Sequence, residues 1–165
     1  MIKIVPETPA HHASAIEALY DRTFGPGHFA KTAERLREGT HSLPELSRVA
    51  VLDGDVIAAT RLWPISIGEN ATRGVFVGPV AVDPEFQGQR LGLTVTGEAI
   101  EAAIEAEWPV AVLIGAPRYF REIGFEVSDQ LKFPGPQDRS RIMVRKLNAS
   151  TEGLAGLVSV LRDSD

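Results

Sequence analysis

Residues 75–82 read VFVGPVAV, a nearly continuous apolar run broken at its centre by Gly78-Pro79, and no other segment restricts the fold so strongly. A strand without polar alternation is normally covered on both faces, so the chain needs a sheet with layers packed on each side. Proline cannot donate to a β-ladder, so this strand must carry a bulge or a local splay at its middle. Asp83-Pro84 then turns the chain. Leu93, Gly97, Ile100, Ala103 and Ile104 follow as the inner stripe of a helix whose Glu98, Glu101, Glu105 and Glu107 face water. Pro109 stops that helix, and residues 110–114 form the next apolar strand. A strand, a crossover helix and a second strand in this order place the two strands parallel with a right-handed connection.

The remaining elements read less sharply. Residues 2–5 form a short β-type run, and Thr8 followed by Pro9 is an N-cap signal for a helix carrying Ile16, Leu19, Tyr20 and Thr23. Phe24-Gly25-Pro26-Gly27 ends it, and residues 28–38 have the spacing of a second helix. Residues 47–52 and 56–67 read as strands around Asp53-Gly54-Asp55, a strong hairpin signal. Pro64 inside the second of these implies an edge position or a bulge. Ala116-Pro117 opens one turn of helix that Gly124 ends, and residues 125–127 and 141–147 are the last strands. Residues 148–165 contain a weakly amphipathic stretch at 154–161, read as a docked helix or a loose tail. The expected class is α/β (α+β), with one domain over residues 1–147 and a C-terminal tail over 148–165.

Composition removes several function classes. The 165 residues suit one domain large enough to need no disulfide or metal staple. Seventeen basic against 22 acidic residues give a net charge of −5, which counts against an electrostatic nucleic-acid binder. With no cysteine there is no thiolate nucleophile and no cysteine-based zinc site, and no histidine spacing suggests another metal. The longest uncharged windows fall well short of the ~20 apolar residues a membrane helix takes. The start of the chain lacks the apolar run of a secretory signal, so a cytoplasmic protein without a membrane partner is expected.

The loop between the bulged strand and the helix carries the chemistry. Gln87, Gly88, Gln89, Arg90, Leu91 and Gly92 lead into a helix N-terminus, whose first N–H groups lack intrahelical partners and carry partial positive charge. Small residues at 88 and 92 let backbone amides approach an anion, and Arg90 adds a fixed charge, so a phosphate or diphosphate is the natural guest. Neither the P-loop spacing nor the G-x-G-x-x-G dinucleotide pattern is present. Taken alone, such a glycine-containing turn is a common structural feature.

Together with its flanks, the segment resembles the GNAT superfamily of acyl-CoA-dependent N-acetyltransferases over most of residues 1–147. The family signature Gln/Arg-x-x-Gly-x-Gly/Ala falls on Gln87-Gly88-Gln89-Arg90-Leu91-Gly92, with Arg90 standing where the first signature glycine is expected. The strand Val80-Ala81-Val82 matches the one that pairs with the pantetheine arm, and Gly78-Pro79 lies where relatives splay two parallel strands. Arg118-Tyr119-Phe120-Arg121-Glu122-Ile123-Gly124-Phe125 looks like the family's aromatic segment. The resemblance implies a mixed, mostly antiparallel sheet of six to seven strands with a splayed parallel central pair, flanked by helices. It implies acetyl-CoA as cosubstrate, held by Val80, Ala81, Val82 and residues 87–92 with Leu93, no metal, and an amine acceptor. A homodimer is compatible with it.

By the same resemblance the amine attacks the thioester directly, and positioning of the two reactants supplies most of the rate. An N–H near Val80–Ala81 can bind the carbonyl oxygen as charge develops. A phenol is a suitable acid for the departing thiolate. Phe120 occupies the family's usual tyrosine position, which leaves its neighbour Tyr119 as the candidate acid, with packing at the surface as the other reading and water as another proton source. Arg118 and Arg121 are read as solvated or near the adenosine phosphate. The strand at 75–82 offers no base; His28, His41 and Glu69 are distant candidates, and His11 and His12 face solvent. Arg61 and Trp63 are candidates to line an acceptor pocket, with core packing as the other reading of Trp63. The leading expectation is transfer of an acetyl group to a primary amine of a small molecule or protein. The alternatives are a catalytically silent acyl-CoA-binding sensor and an unrelated phosphate-binding α/β domain.

Overall fold

The computed structural model describes residues 1–25, 40–135 and 138–161. The helix expected over residues 28–38 lies outside them. The described elements run β1 (Lys3–Pro6), α1 (Pro9–Phe24), β2 (Arg48–Leu52), β3 (Asp55–Ile67), β4 (Thr72–Val82), α2 (Leu91–Glu105), β5 (Val110–Ile114), α3 (Pro117–Phe120), β6 (Glu126–Val127), β7 (Leu131–Lys132), β8 (Ile142–Lys146) and β9 (Gly156–Val160). Among these residues the strands form one sheet in the order β1-β2-β3-β4-β5-β8-β6, with β9 beside β3 and β7 beside β9. The pairs along that path are antiparallel except β4 with β5. The expected mixed sheet with its parallel pair is therefore present, and the count rises to nine because β7 and β9 add to it.

Each face of the sheet has its own core. On one, Leu91, Val95 and Ile100 of α2 cover Ala50, Ala58, Leu62, Val77 and Leu113, with Phe120 and Phe125 completing the layer. On the other, Ile16, Leu19 and Tyr20 of α1 cover Val49, Ala59 and Ala81. Beyond the reach of α1, that second face is closed by Leu131, Phe133 and Val158 against Trp63, Ile65, Phe76 and Val112. Burial on both sides explains why β3 and β4 read as near-continuous apolar runs. No helix among the described residues is long and apolar enough to cross a membrane.

Two local expectations need correction, and a third holds in position but not in chemistry. The stretch at 154–161 is neither helix nor loose tail: β9 pairs with β3 through Ile65, Ser66 and Ile67, and Val158 is fully buried. Pro64 sits inside β3, not at an edge. Its register partner on β4 is Val75, while on its other side β2 has ended and β9 begins only at Ile65, so the missing N–H falls at that junction. Thr8 is at the N-cap of α1 but makes no side-chain cap bond; its backbone N–H instead donates to His12 Nδ1 at 2.9 Å.

Candidate active site

Gly78-Pro79 produces the geometry on which the site depends. Opposite these two residues β3 places only Arg61, so the ladder shifts register there as a β-bulge. Trp63 Nε1 donates to Gly78 O at 2.7 Å and fixes the bulged backbone from the neighbouring strand. On the other side of β4, pairing with β5 is confined to Val75–Ala111 and Phe76–Val112. Beyond Phe76 the two strands part, and a cleft of about 500 Å³ opens between them.

Backbone alternation decides what faces that cleft. Asp83 N–H donates to Ile57 O on β3. In an antiparallel pair the N–H and C=O of successive residues point to opposite sides, so Val82 and Val80 direct theirs away from β3 into the cleft, while Ala81 bonds inward. The Val82 carbonyl confirms the direction: it accepts from Gln87 Nε2 at 3.1 Å and from Thr23 Oγ1 at 3.4 Å. Gln87 thereby ties the loop to the strand end. Asp83 braces the same corner, accepting from Glu85 N and from Arg22 of α1.

The loop then enters α2 through Arg90, whose φ of 63° is left-handed. This is why a glycine suits the position: the left-handed region costs a side chain about 1–2 kcal/mol. Thr94 N–H makes the first helical bond, to Arg90 O, so the N–H groups of Leu91, Gly92 and Leu93 have no intrahelical acceptor. A Cβ built on Gly92 would lie 2.8 Å from Tyr119 Oη and 3.2 Å from a Val82 methyl, so the bare glycine keeps open a narrow passage between the helix start, β4 and the phenol. Arg90 Nη2 donates to Glu122 Oε2 of the turn after α3, and that contact raises the Arg90 pKa above its ordinary value.

The predicted residues divide as follows. Val80, Val82, Gln87, Gly88, Arg90, Leu91, Gly92 and Tyr119 line the cleft, whereas Ala81, Gln89 and Leu93 do not. Ala81 and Leu93 are buried in the two cores. Tyr119 and Phe120 both line the cleft, their rings in T-shaped contact at 4.9 Å. Phe120 packs on Phe125 and against Gly115, where a Cβ would meet its ring at 2.5 Å. Tyr119 is 37% exposed and reaches the helix start. Arg61 and Trp63 are not lining residues: Arg61 is buried in ion pairs with Glu7 and Glu17, and Trp63 is core. Glu69 lies in the β3–β4 turn, lining a separate pocket, and His41 is exposed and absent from the cleft wall. His28 lies outside the described residues. Among the described residues no His, Asp and Glu group is arranged to hold a metal.

Sequence reasoning missed Thr23, Phe24 and Arg141, which also line the cleft. Arg141 ends a turn capped by Asp138, and its Nε donates to Gly115 O at 3.3 Å. Thr23 is brought in by the crossing of α1 over β4. None of the three belongs to a local motif, so only the sheet order brings them to the cleft.

A groove with an apolar floor, inward-facing strand amides and open helix amides at one end suits a ligand with an extended amide-bearing arm and a diphosphate. The comparisons agree. The Acetyltransferase (GNAT) family model matches residues 13–125. An uncharacterized N-acetyltransferase, YhbS, of Escherichia coli (strain K12) is 29% identical over 150 residues, spanning 88% of this chain and 89% of the relative. The crystal structure of the E. coli GNAT family N-acetyltransferase YhbS in complex with CoA matches with a TM-score of 0.81 and 30% identity, covering 97% of this chain and 89% of that one. A GNAT family acetyltransferase from Brucella melitensis, solved in complex with acetyl-CoA, shares the fold with a TM-score of 0.74 at 23% identity, over 100% of this chain and 99% of that one. The bulged strand, the parted parallel pair and a family match across most of the chain lead to one conclusion: this protein belongs to the GNAT acetyltransferase family.

Proposed function

We propose that the chain transfers an acetyl group from acetyl-CoA to a primary amine of a small molecule or protein, by direct attack while both reactants are bound. One observation carries this reading: β4 and β5 part beyond Phe76 and Val112, and the opening ends on the N-terminus of α2. Bound there, acetyl-CoA supplies a thioester carbonyl already activated toward amines.

The chain's own groups have separable tasks. The N–H groups of Leu91, Gly92 and Leu93, with the Arg90 guanidinium, hold the diphosphate at a helix start that favours negative charge. The inward-facing backbone of Val80 and Val82 aligns the pantetheine arm as an added strand would. The Val80 N–H is a fixed donor for the carbonyl oxygen, worth most as negative charge grows on it. The Tyr119 hydroxyl is the phenol of the cleft, since the chain's other tyrosine, Tyr20, is buried between α1 and the sheet, and it delivers a proton toward the departing sulfur. Holding amine and thioester together removes much of the entropic barrier of a bimolecular reaction.

Two measurements test the reading. Coenzyme A at 100 times its dissociation constant is expected to stabilise the protein by about 2.7 kcal/mol, seen as a raised thermal midpoint. Acetyl-CoA with a panel of primary amines is expected to release free thiol faster than acetyl-CoA alone. Binding without amine-dependent release would convert the assignment to a silent acyl-CoA sensor, and no thermal shift would remove the cleft assignment altogether.

A further inference from the structure

The Arg90 guanidinium is engaged by a carboxylate from the opposite bank of the cleft. Arg90 opens α2, whereas Glu122 belongs to the turn at Arg121–Ile123 that follows α3. The Tyr119 hydroxyl lies against Gly92, so Arg90, the residue that opens α2, and Glu122, three positions after Tyr119, pair beside the start of α2 where its open amides emerge. Its side chains are 66% and 46% exposed, and pairs so solvated contribute little to folding. Its position therefore matters more than its strength. The pair lies beside the loop that should receive phosphates, and it uses the one cation on that loop.

We propose that Glu122 sets the affinity of the cleft for its anionic ligand, by holding Arg90 in the free chain so that a diphosphate must displace it. The proposal rests on the reading of the cleft as a coenzyme A site. After displacement Glu122 stays on the same bank, where its charge opposes that of the diphosphate. Both effects weaken binding, and both reside in a residue that touches neither the thioester nor the apolar floor. A cleft tuned in this way releases spent coenzyme A more readily than Arg90 alone would allow.

The test is a double-mutant cycle with coenzyme A as probe, read by calorimetric titration. Glu122→Gln is expected to lower the dissociation constant three- to tenfold at low ionic strength, with the gain shrinking as salt screens the charges. In an Arg90→Gln background the same change should give a clearly smaller gain, because there is no guanidinium to release. Glu105→Gln, the same charge change at the exposed far end of α2, should leave affinity unaltered. An unchanged or weakened affinity in Glu122→Gln overturns the proposal, as does an equal gain without Arg90 or with Glu105→Gln. If the wild-type chain itself fails to bind coenzyme A, the reading of the cleft falls, and the proposal with it.

Discussion

Gly92 shows how one absent side chain can matter more than the charged residues around it. Its backbone is ordinary helix, so alanine there costs no conformational strain and gains about 1 kcal/mol of helix propensity. The obstacle is space: a Cβ meets the Tyr119 hydroxyl, which can swing, and a Val82 methyl at 3.2 Å, which is held by its strand. Gly92→Leu is expected to keep the far-UV circular dichroism of the wild type and to weaken coenzyme A binding at least about 100-fold, since its methyls fill the passage that the open amides face. Retained affinity in a folded Gly92→Leu protein would refute the placement of the phosphate loop. At this scale the sequence was informative about residue type and poor about direction. Arg90 in place of a signature glycine was visible, but its left-handed φ was needed to explain why glycine suits that position. Tyr119 and Phe120 are adjacent in the chain and both line the cleft, and only the rotation of α3 decides that the phenol reaches the start of α2 while the phenyl ring packs on Gly115 and Phe125.

Between elements, the bulge in β4 has a counterpart on the other face of the sheet. Arg61, the single residue opposite Gly78-Pro79, donates to Glu7 at 3.0 and 3.4 Å and to Glu17 of α1 at 3.0 Å, with its guanidinium carbon 5.6 Å from the centre of the Tyr20 ring. Burial alone would lower the Arg61 pKa, but Tyr20, Glu7 and Glu17 together hold it above its ordinary value. Glu7 is only 3% exposed in its side chain, so removing the cation strands a buried carboxylate. Arg61→Met is expected to destabilise the fold by about 3 kcal/mol in urea unfolding, and Arg61→Met with Glu7→Leu to recover a good part of it, because desolvation then costs nothing. Equal losses in the single and double variants would show that packing, not the charge pair, joins α1 to β3. Arg61 was legible only as an oddity in an apolar strand, because its partners lie 54 and 44 positions away. The strand at residues 156–160 escaped notice for a different reason. Leu157 is 51% exposed beside the fully buried Val158, so apolar residues fall on both faces and no clear period emerges. By contrast, the β4–α2–β5 unit was readable because both burial and handedness are local rules.

For the molecule as a whole, the parted strands make the sheet two bodies joined by a short seam. β1 to β4 lie on one side and β5, β8 and β6 on the other, with direct pairing limited to two registers and the rest of the joint made by the apolar layers on the two faces, one under α2 and one under Leu131, Phe133 and Val158. A ligand in the cleft therefore acts as a missing strand, contacting both bodies at once. This predicts an unusual pattern of amide exchange within one continuous strand. Val80 and Val82 direct their N–H groups into the cleft, so in the free protein they should exchange quickly despite lying in β4. Ala81 bonds toward β3 and should be protected at all times. Saturating coenzyme A is expected to slow exchange at Val80, and at the helix-start amides of Leu91, Gly92 and Leu93, leaving Ala81 unchanged. Residue-resolved exchange by NMR distinguishes this from general tightening, which would slow all three strand positions together. Protection of Val80 before ligand is added would mean that the strands close in solution, and the cleft could not then admit the pantetheine arm without first breaking that contact.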